Sequence, residues 1–403
     1  MVAGVRVLLT EGSSLTSREV VSCLGPLGYH LEVLDPDALC LARHSRWGHR
    51  VHRCPPAGRE PLAYVDFLTR TVAERAIEAV LPTHEQAWLL AAARRRLPDD
   101  LPVAVAHPKA FARVQSKLSF AALLDALGLP QPPWRPVTGA GDVEDLAYPY
   151  WLKAPFSTAG RGVREVTDAA TRDRALAELL GAGETAVMAQ QPARGQYGQA
   201  AGLFDTGRLI AAHTSVGRAV GMGGSAAARL SVDHPVARRH LARLGEVLQW
   251  HGGLTLDYLH VEGSPVFLEC NPRTVEPANA AAAGLNIPDL QVRLSQGETL
   301  GPSPSLGVAG IRTHGLIAVL MGIGGRGGSR LRLLAELRDA SLGCRLYAHS
   351  TEQLTPITRD PLSLLPAVIL TSRLLWAPSH AERIARAAID SYSITPATIE
   401  AAS

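Results

Sequence analysis

The chain has 403 residues, 46% of them hydrophobic and 19% charged, with a formal net charge of +3. That length accommodates two or three domains, and a chain this close to neutral lacks the basic footprint of a nucleic-acid binder. Its five cysteines, Cys23, Cys40, Cys54, Cys270 and Cys344, are odd in number and widely spaced, which argues against a disulfide framework or a zinc site and fits a reducing, cytoplasmic setting.

The apolar run Val5 to Leu9 is too short for a secretory h-region. Arg6 to Thr10 reads as a strand, followed by a helix that Thr16 starts, with Glu19 completing a capping box and Gly28 ending it. His30 to Leu34 is the next strand, giving the β-α-β opening of a parallel sheet. The first turn, Glu11-Gly12-Ser13-Ser14, lacks the GxGxxG spacing of a dinucleotide site. A helix over Tyr64 to Ala76, a strand over Ala79 to Leu81, a helix capped by Thr83 with Gln86 at the box position, and a strand over Val103 to Ala106 follow. Glu85 reads as a first-turn acid favoured by the helix dipole. Pro108 to Leu127 has the spacing of one amphipathic helix, and Pro130, Pro132, Pro133 and Pro136 make a stiff connection after it.

Only three of the 40 basic residues are lysines: Lys109, Lys117 and Lys153. In a chain that otherwise uses arginine, a retained lysine points to a need for a compact ammonium, with chance retention the competing reading. Lys153 ends the strand Tyr148 to Pro155, and a loop containing Ser157, Gly160 and Gly162 follows. Small residues let backbone N–H groups approach phosphate closely, although a mobile hairpin tip has the same composition. Ala186 to Gln190 is a strand, and Gly198 to Phe204 pairs with Arg208 to His213 around Asp205-Thr206-Gly207. Val216 to Ser225 is too rich in glycine for a regular element and reads as a substrate-facing loop. Arg218 or Arg229 could receive a substrate carboxylate there, with plain surface solvation as the alternative.

After a helix over Pro235 to Trp250 come two short strands, Leu254 to Val261 and Pro265 to Cys270, joined at Glu262-Gly263-Ser264. A tight turn centred on Gly263 sets Asp257 opposite Glu269, and strict alternation puts Phe267, Glu269 and Asn271 on one face. Facing carboxylates repel unless a proton or a metal compensates them. With the Asn271 amide oxygen they form an all-oxygen cluster that suits a hard divalent cation. Arg273 adds a planar cation for phosphate or carboxylate. The competing reading is an exposed hairpin with a wet acidic face.

Leu-Glu-Cys-Asn-Pro-Arg at 268–273, with Asp257 upstream and Gly284 to Asn286 downstream, resembles the signature of the ATP-grasp superfamily, in the flavour of carboxylate–amine ligases and carbamoyl-phosphate-synthase-like enzymes. The specific motifs span 117 to 273. The resemblance implies that Asp257, Glu269 and Asn271 hold one or two Mg²⁺, with Mn²⁺ a permitted substitute. It implies that Lys117 and Lys153, with the Ser157, Gly160 and Gly162 loop, contact ATP phosphates. Gln190, Gln191 and Ala193 form the hinge that reads adenine, and Gln196 stands where many relatives carry the acid that holds the ribose. Arg273 steadies the migrating group, and Arg218 faces the substrate.

The implied fold is α/β. The resemblance covers roughly residues 1–300: a parallel-sheet domain over 1–107 and an ATP-grasp domain over 108–300 with a lid subdomain at about 149–194; an α/β extension over 301–403, set off at Pro302 and Pro304, lies beyond it. The extension contains Gly324-Gly-Arg-Gly-Gly328, which lacks a Walker lysine. It also contains Leu362 to Trp376, interrupted by Pro366 and Arg373. This run is shorter than the roughly 20 residues of a membrane span and reads as a buried helix.

The implied activity is an ATP- and Mg²⁺-dependent ligase that joins a carboxylate to an amine through an acyl phosphate. Its partners are small molecules, not nucleic acid or membrane, and a homodimer is an allowed assembly. A carboxylase or formyl-transferring enzyme of purine or biotin type is the second reading, and a nucleotide-binding regulatory module without turnover the third.

Overall fold

The computed structural model describes residues 4–157, 160–261 and 263–403. Thr158 and Ala159 of the expected glycine loop and Glu262 of the expected turn lie outside them. The chain opens with β1 (Arg6–Leu9), α1 (Leu15–Leu24), β2 (His30–Asp35), β3 (Gly48–Arg53), α2 (Pro61–Arg75), β4 (Ala79–Leu81) and α3 (Gln86–Ala92). The four strands form a parallel sheet in the order β3-β2-β1-β4. Val7, Leu9, Leu31 and Val33 pack on α1, and Leu8 and Val80 pack on the other face with Tyr64 and Leu68. Strands buried on both faces read as continuous apolar runs, which is why β1, β2 and β4 were legible; β3, the polar edge strand Gly-His-Arg-Val-His-Arg, has no such run and was not expected.

Two caps differ from expectation. Ser14, not Thr16, caps α1 by accepting from the Ser17 N–H, so Glu19 lies within the helix and accepts instead from the Ala278 N–H. Thr83 does not cap α3, which begins at Gln86; its N–H is taken by Thr10 Oγ1. Val103 makes a single parallel bridge to Val80, not a full strand.

The expected single helix after residue 107 is two, α4 (Pro108–Val114) and α5 (Lys117–Ala126). The break at Gln115-Ser116 places Lys117 at the first position of a helix. The second sheet contains β5 (Trp134–Val137), β6 (Tyr150–Lys153), β7 (Val163–Val166) and β8 (Val187–Gln190), and α6 (Ala169–Gly181) packs on it. Its order is β5-β8-β6-β7, antiparallel throughout.

The third sheet contains β9 (Gln196–Asp205), β10 (Arg208–Val220) and β11 (Ala226–Ser231), then, after α7 (Pro235–Leu248), β12 (Gly252–His260) and β13 (Val266–Asn271). α8 (Ala278–Ala282) and α9 (Ile287–Ser295) follow. The last hundred residues return to this sheet. β14 (Ser305–Leu306) pairs with β10, and β15 (Arg312–His314), with β16 (Ser350–Glu352) beyond it, extends the edge at β11. Among the described residues the sheet has eight strands, in the order β13-β12-β9-β10-β11-β15-β16 with β14 to the side. The glycine-rich run at 216–225 is therefore partly regular: β10 continues to Val220, with register shifts between Gly217 and Val220.

The two faces of this sheet differ. Ala200, Phe204, Leu254, Leu256 and Tyr258 point to a core shared with Phe111, Phe120, Leu241 and Leu244. On the other face Leu203 and Ala211 meet Leu285 and Ile287, and farther along the same strands the apolar cover gives way to Gln199, Ser215, Arg229 and Asp257. That change from apolar to polar along one face locates the site.

The remaining helices are α10 (Leu316–Gly325), α11 (Arg330–Ser341), α12 (Leu364–Trp376), α13 (His380–Tyr392) and α14 (Pro396–Ala402). α12 is not the buried helix that its composition suggests. It lies outside α10 and α11, so protein covers one side only, and Leu365, Val368, Ile369 and Trp376 stay exposed. No helix among the described residues is long and apolar enough to cross a membrane.

Candidate active site

The β12–β13 hairpin places Asp257 directly opposite Glu269, as its spacing predicts, and Thr255 opposite Asn271. The expectation for Phe267 fails. A bulge skips Leu268, so Phe267 pairs with Tyr258 and turns into the core while Glu269 stays on the polar face. A bulge of this kind lets one strand serve a core and a site within three residues.

Asp257 is buried. Its carboxylate accepts from Gln199 Nε2 at 2.9 Å and from Asn271 Nδ2 at 3.2 Å. Burial pushes its carboxyl well up, and the neighbouring Glu269 pushes it further. Glu269 keeps 39% of its side chain open. Burial raises its carboxyl too, but the charges of Lys117 and Lys153 outweigh that and hold it below its ordinary value.

Lys117 is 8% exposed, and its Nζ lies 3.4 Å from Glu269 Oε2 and donates to Ser157 Oγ at 3.1 Å. The α5 start fixes it there, because the Lys117 N–H donates to the Pro155 carbonyl. Lys153, at the end of β6, donates to Gln190 Oε1 at 2.6 Å. Burial lowers its ammonium to about 8, with Lys117 adding to the fall and Glu269 opposing it. Lys109 is exposed on α4. Two of the three lysines therefore meet one carboxylate where the second and third sheets face each other.

Beside the lysines, Gly160 has φ +73° and approaches the Gly223 carbonyl, and a Cβ on Gly162 would lie 2.7 Å from the Ser157 Cβ, so both positions exclude larger residues. Phe156 stacks on Trp88 with centroids 5.6 Å apart. Gln190 is buried, the Gln191 N–H donates to the Pro133 carbonyl, and Ala193 is exposed in the link to β9. Gln196 is exposed and donates to the Gly217 carbonyl at 2.8 Å.

Arg218 is not drawn to the hairpin. Its guanidinium donates to the Leu346 carbonyl at 3.1 Å, in the C-terminal segment. Arg229 is: it is buried and pairs with Glu276, which has φ +40°. A non-glycine residue held in that region is strained. Burial and Glu276 together push the nearby Glu19 carboxyl up, toward its neutral form. Gln199, which bonds Asp257, lines a small cavity with Ser215, Arg229, Glu276 and Asn279, and among the described residues Arg229 Nη1 has no hydrogen-bond partner.

Arg273 lies two residues beyond Asn271, and its Nη2 donates to His84 Nε2 at 3.2 Å. Gln199, Glu276 and His84 went unnoticed in the sequence. Glu276 had a signal, an acid three residues after Arg273; the other two come from distant elements with no local pattern.

Among the described residues no three His, Cys, Asp or Glu side chains converge on a metal-binding geometry. A cation on the hairpin would therefore take two carboxylates and complete its shell with Asn271, phosphate oxygens and water, the arrangement Mg²⁺ favours. A buried Asp257 carboxyl pushed up by its neighbour fits such a cation, which would relieve the repulsion.

No family model matches the chain. A curated relative, acetyl-CoA carboxylase of Schizosaccharomyces pombe, is 27% identical over 184 residues, which is 42% of this chain and 8% of that one. The chain thus matches a small part of that protein's length. Among solved structures, an N5-carboxyaminoimidazole ribonucleotide synthetase with ADP aligns with a TM-score of 0.62 at 15% identity, over 95% of this chain and 99% of that one. The biotin carboxylase domain of Hydrogenobacter thermophilus 2-oxoglutarate carboxylase, solved with MgADP and bicarbonate, gives 0.59 at 16%, over 74% and 71%. An L-amino acid ligase from Bacillus licheniformis gives 0.53 at 16%, over 74% and 75%. At these identities the likeness is one of fold.

Proposed function

We propose that this chain, built on the ATP-grasp fold, is an ATP- and Mg²⁺-dependent ligase that activates a carboxylate as an acyl phosphate and couples it to an amine, with release of ADP. One observation carries the reading. Lys117, Lys153, Glu269 and Asp257 come together from four separate elements of the second and third sheets and the helix before them. A structural ion pair needs neither a second buried lysine nor a second carboxylate, whereas a triphosphate with its cation needs both signs side by side.

In this reading Asp257, Glu269 and Asn271 hold Mg²⁺, which when bound neutralises phosphate charge and draws the nucleotide oxygens into line. Lys117 and Lys153 hold phosphate oxygens. The 149–194 segment, between hinges near Pro149 and Pro192, forms a lid over the nucleotide, with Gln191 and Ala193 at its edge. Gln196 contacts the ribose as a neutral amide, without charge assistance. Arg273 steadies the transferred group as the carboxylate oxygen attacks the terminal phosphorus and ADP leaves. The amine then attacks the acyl carbon and expels phosphate. Arg229, paired with Glu276 but with one nitrogen unpaired, is better placed than Arg218 to receive the acid.

The second reading, a carboxylase for which bicarbonate is the acid, draws on the acetyl-CoA carboxylase match and on the bicarbonate-bound neighbour. It uses the same residues, with carboxyphosphate as the acyl phosphate. ADP release from MgATP would be measured with bicarbonate and with pooled amino acids. Stimulation by amino acids supports the ligase, and stimulation by bicarbonate alone supports the carboxylase. Tight MgADP binding with neither stimulation would point to a nucleotide-binding module. The assembly as a homodimer and the cytoplasmic setting are part of the same proposal.

A further inference from the structure

The C-terminal segment packs on α2 and α3 of the first domain. Ile394 donates its N–H to Glu85 Oε2 at 2.8 Å, and Thr398 Oγ1 donates to the Gly58 carbonyl at 3.0 Å. Gly58 lies so close to the Ser393 carbonyl that a Cβ there would collide with it. At the end of α13, Tyr392 is buried with its ring against His84, centroids 3.9 Å apart. His84 is 6% exposed and accepts from Arg273 Nη2. A chain of contacts thus runs from α13 through a histidine of the first domain to the arginine beside the hairpin.

The chemistry of that chain is constrained. A guanidinium can only donate, so His84 Nε2 accepts and the ring proton is on Nδ1. An imidazolium could not do this beside a second cation, and burial together with Arg273 holds the ring neutral. Among the described residues Nδ1 has no partner to steady the ring, so its orientation rests on packing, chiefly on Tyr392. Arg273 Nη1 is likewise buried without a partner among the described residues, and the His84 contact is the side-chain hydrogen bond that those residues offer the guanidinium head.

We propose that His84, clamped by the Tyr392 ring at the end of α13, is a positioning residue for Arg273, so that the last turn of α13 sets the reach of the arginine. The functional part of this inference rests on the ligase reading; the contact itself does not.

Two measurements separate them. The first is a double-mutant cycle on ADP release from MgATP with whichever acid stimulates the wild type. We expect His84→Leu to lower kcat by roughly 10- to 100-fold, as a misplaced reacting group does, with MgADP affinity within about twofold. His84→Asn, whose amide oxygen can accept from Arg273, recovers part of the loss. Tyr392→Ala lowers kcat in the same sense, and Tyr392→Phe, which keeps the ring, recovers it. Adding His84→Leu to Arg273→Ala costs nothing further, because the histidine acts through the arginine. Full additivity, or an unchanged kcat in soluble His84→Leu and His84→Asn, would overturn the proposal.

The second measurement needs no turnover. In ¹⁵N-arginine-labelled protein, the Arg273 guanidinium signal, identified by its absence in Arg273→Lys, should show slowed rotation that His84→Leu releases. Free rotation in the wild type would overturn the positioning contact whatever the enzyme does. Slowed rotation without any nucleotide turnover would leave the contact standing and remove the ligase reading.

Discussion

Lysine and arginine carry the same charge with different shapes, and this chain uses the first so rarely that its placement is informative. Lys153→Arg should lose nucleotide turnover, because a planar fork does not fit the space in which the ammonium meets Gln190 at 2.6 Å. Lys117→Arg should behave likewise beside Glu269 and Ser157. Lys109→Arg, exposed on α4, should stay within about 0.5 kcal/mol of wild-type stability and keep full activity. If Lys109→Arg is the damaging change and the other two are silent, the phosphate site is elsewhere.

The lowered Lys153 gives a second test at this scale. With its ammonium at about 8 in the free protein, the folded chain holds fewer protons than the unfolded chain between there and the ordinary lysine value. Stability therefore rises with pH across that window, and the cost of burying the charge is felt below it. A bound phosphate reverses the preference and returns the proton. Calorimetry of MgADP binding at pH 8.5 in buffers of different ionisation heat should show proton uptake. On the acid side of neutrality, where Lys153 is already charged, release from the raised Asp257 carboxyl should take over. Proton release at pH 8.5 would mean that Lys153 does not face the nucleotide.

At the scale of elements, α7 and β9 show how closely the core sets the hairpin. Gly245 of α7 lies on Phe204, and a Cβ there would collide with the ring. Gly245→Ala should destabilise the fold by about 1–3 kcal/mol, read as an earlier unfolding midpoint in denaturant; an unchanged midpoint would mean that the ring has room to move.

The same elements show what a single sequence reveals. Asp257 opposite Glu269 was legible because alternation and a glycine turn are local rules. The bulge at Leu268 was not, since nothing nearby marks a skipped residue, and it moved Phe267 to the core. The caps on α1 and α3 were misplaced because several Ser and Thr residues compete at each start and tertiary contacts choose among them. The exposed side of α12 was hidden because composition gives the apolarity of a helix and not which neighbours cover it. Glu276 and His84 were missed because their partners, Arg229 and Arg273, are distant in sequence.

For the molecule as a whole, the proposal is a nucleotide clasped between the second sheet and the third. The segment proposed as the lid also reaches α13, through Arg161 and Asp390 at 2.7 Å. Both side chains are exposed, so this pair contributes little to stability and would not hold the proposed lid in place. Hydrogen exchange in β6 and β7 should slow when MgADP binds; equal exchange with and without nucleotide would count against a lid. The claim on which the rest depends is that the facing carboxylates work through a divalent cation. Its most direct measurement is the Mg²⁺ dependence of ADP release in Glu269→Gln, with melting temperature followed in parallel. We expect a folded variant whose turnover falls by more than roughly 100-fold, since loss of a direct ligand should exceed the loss of an outer-shell partner. A variant with wild-type turnover and an unchanged Mg²⁺ requirement would contradict the account.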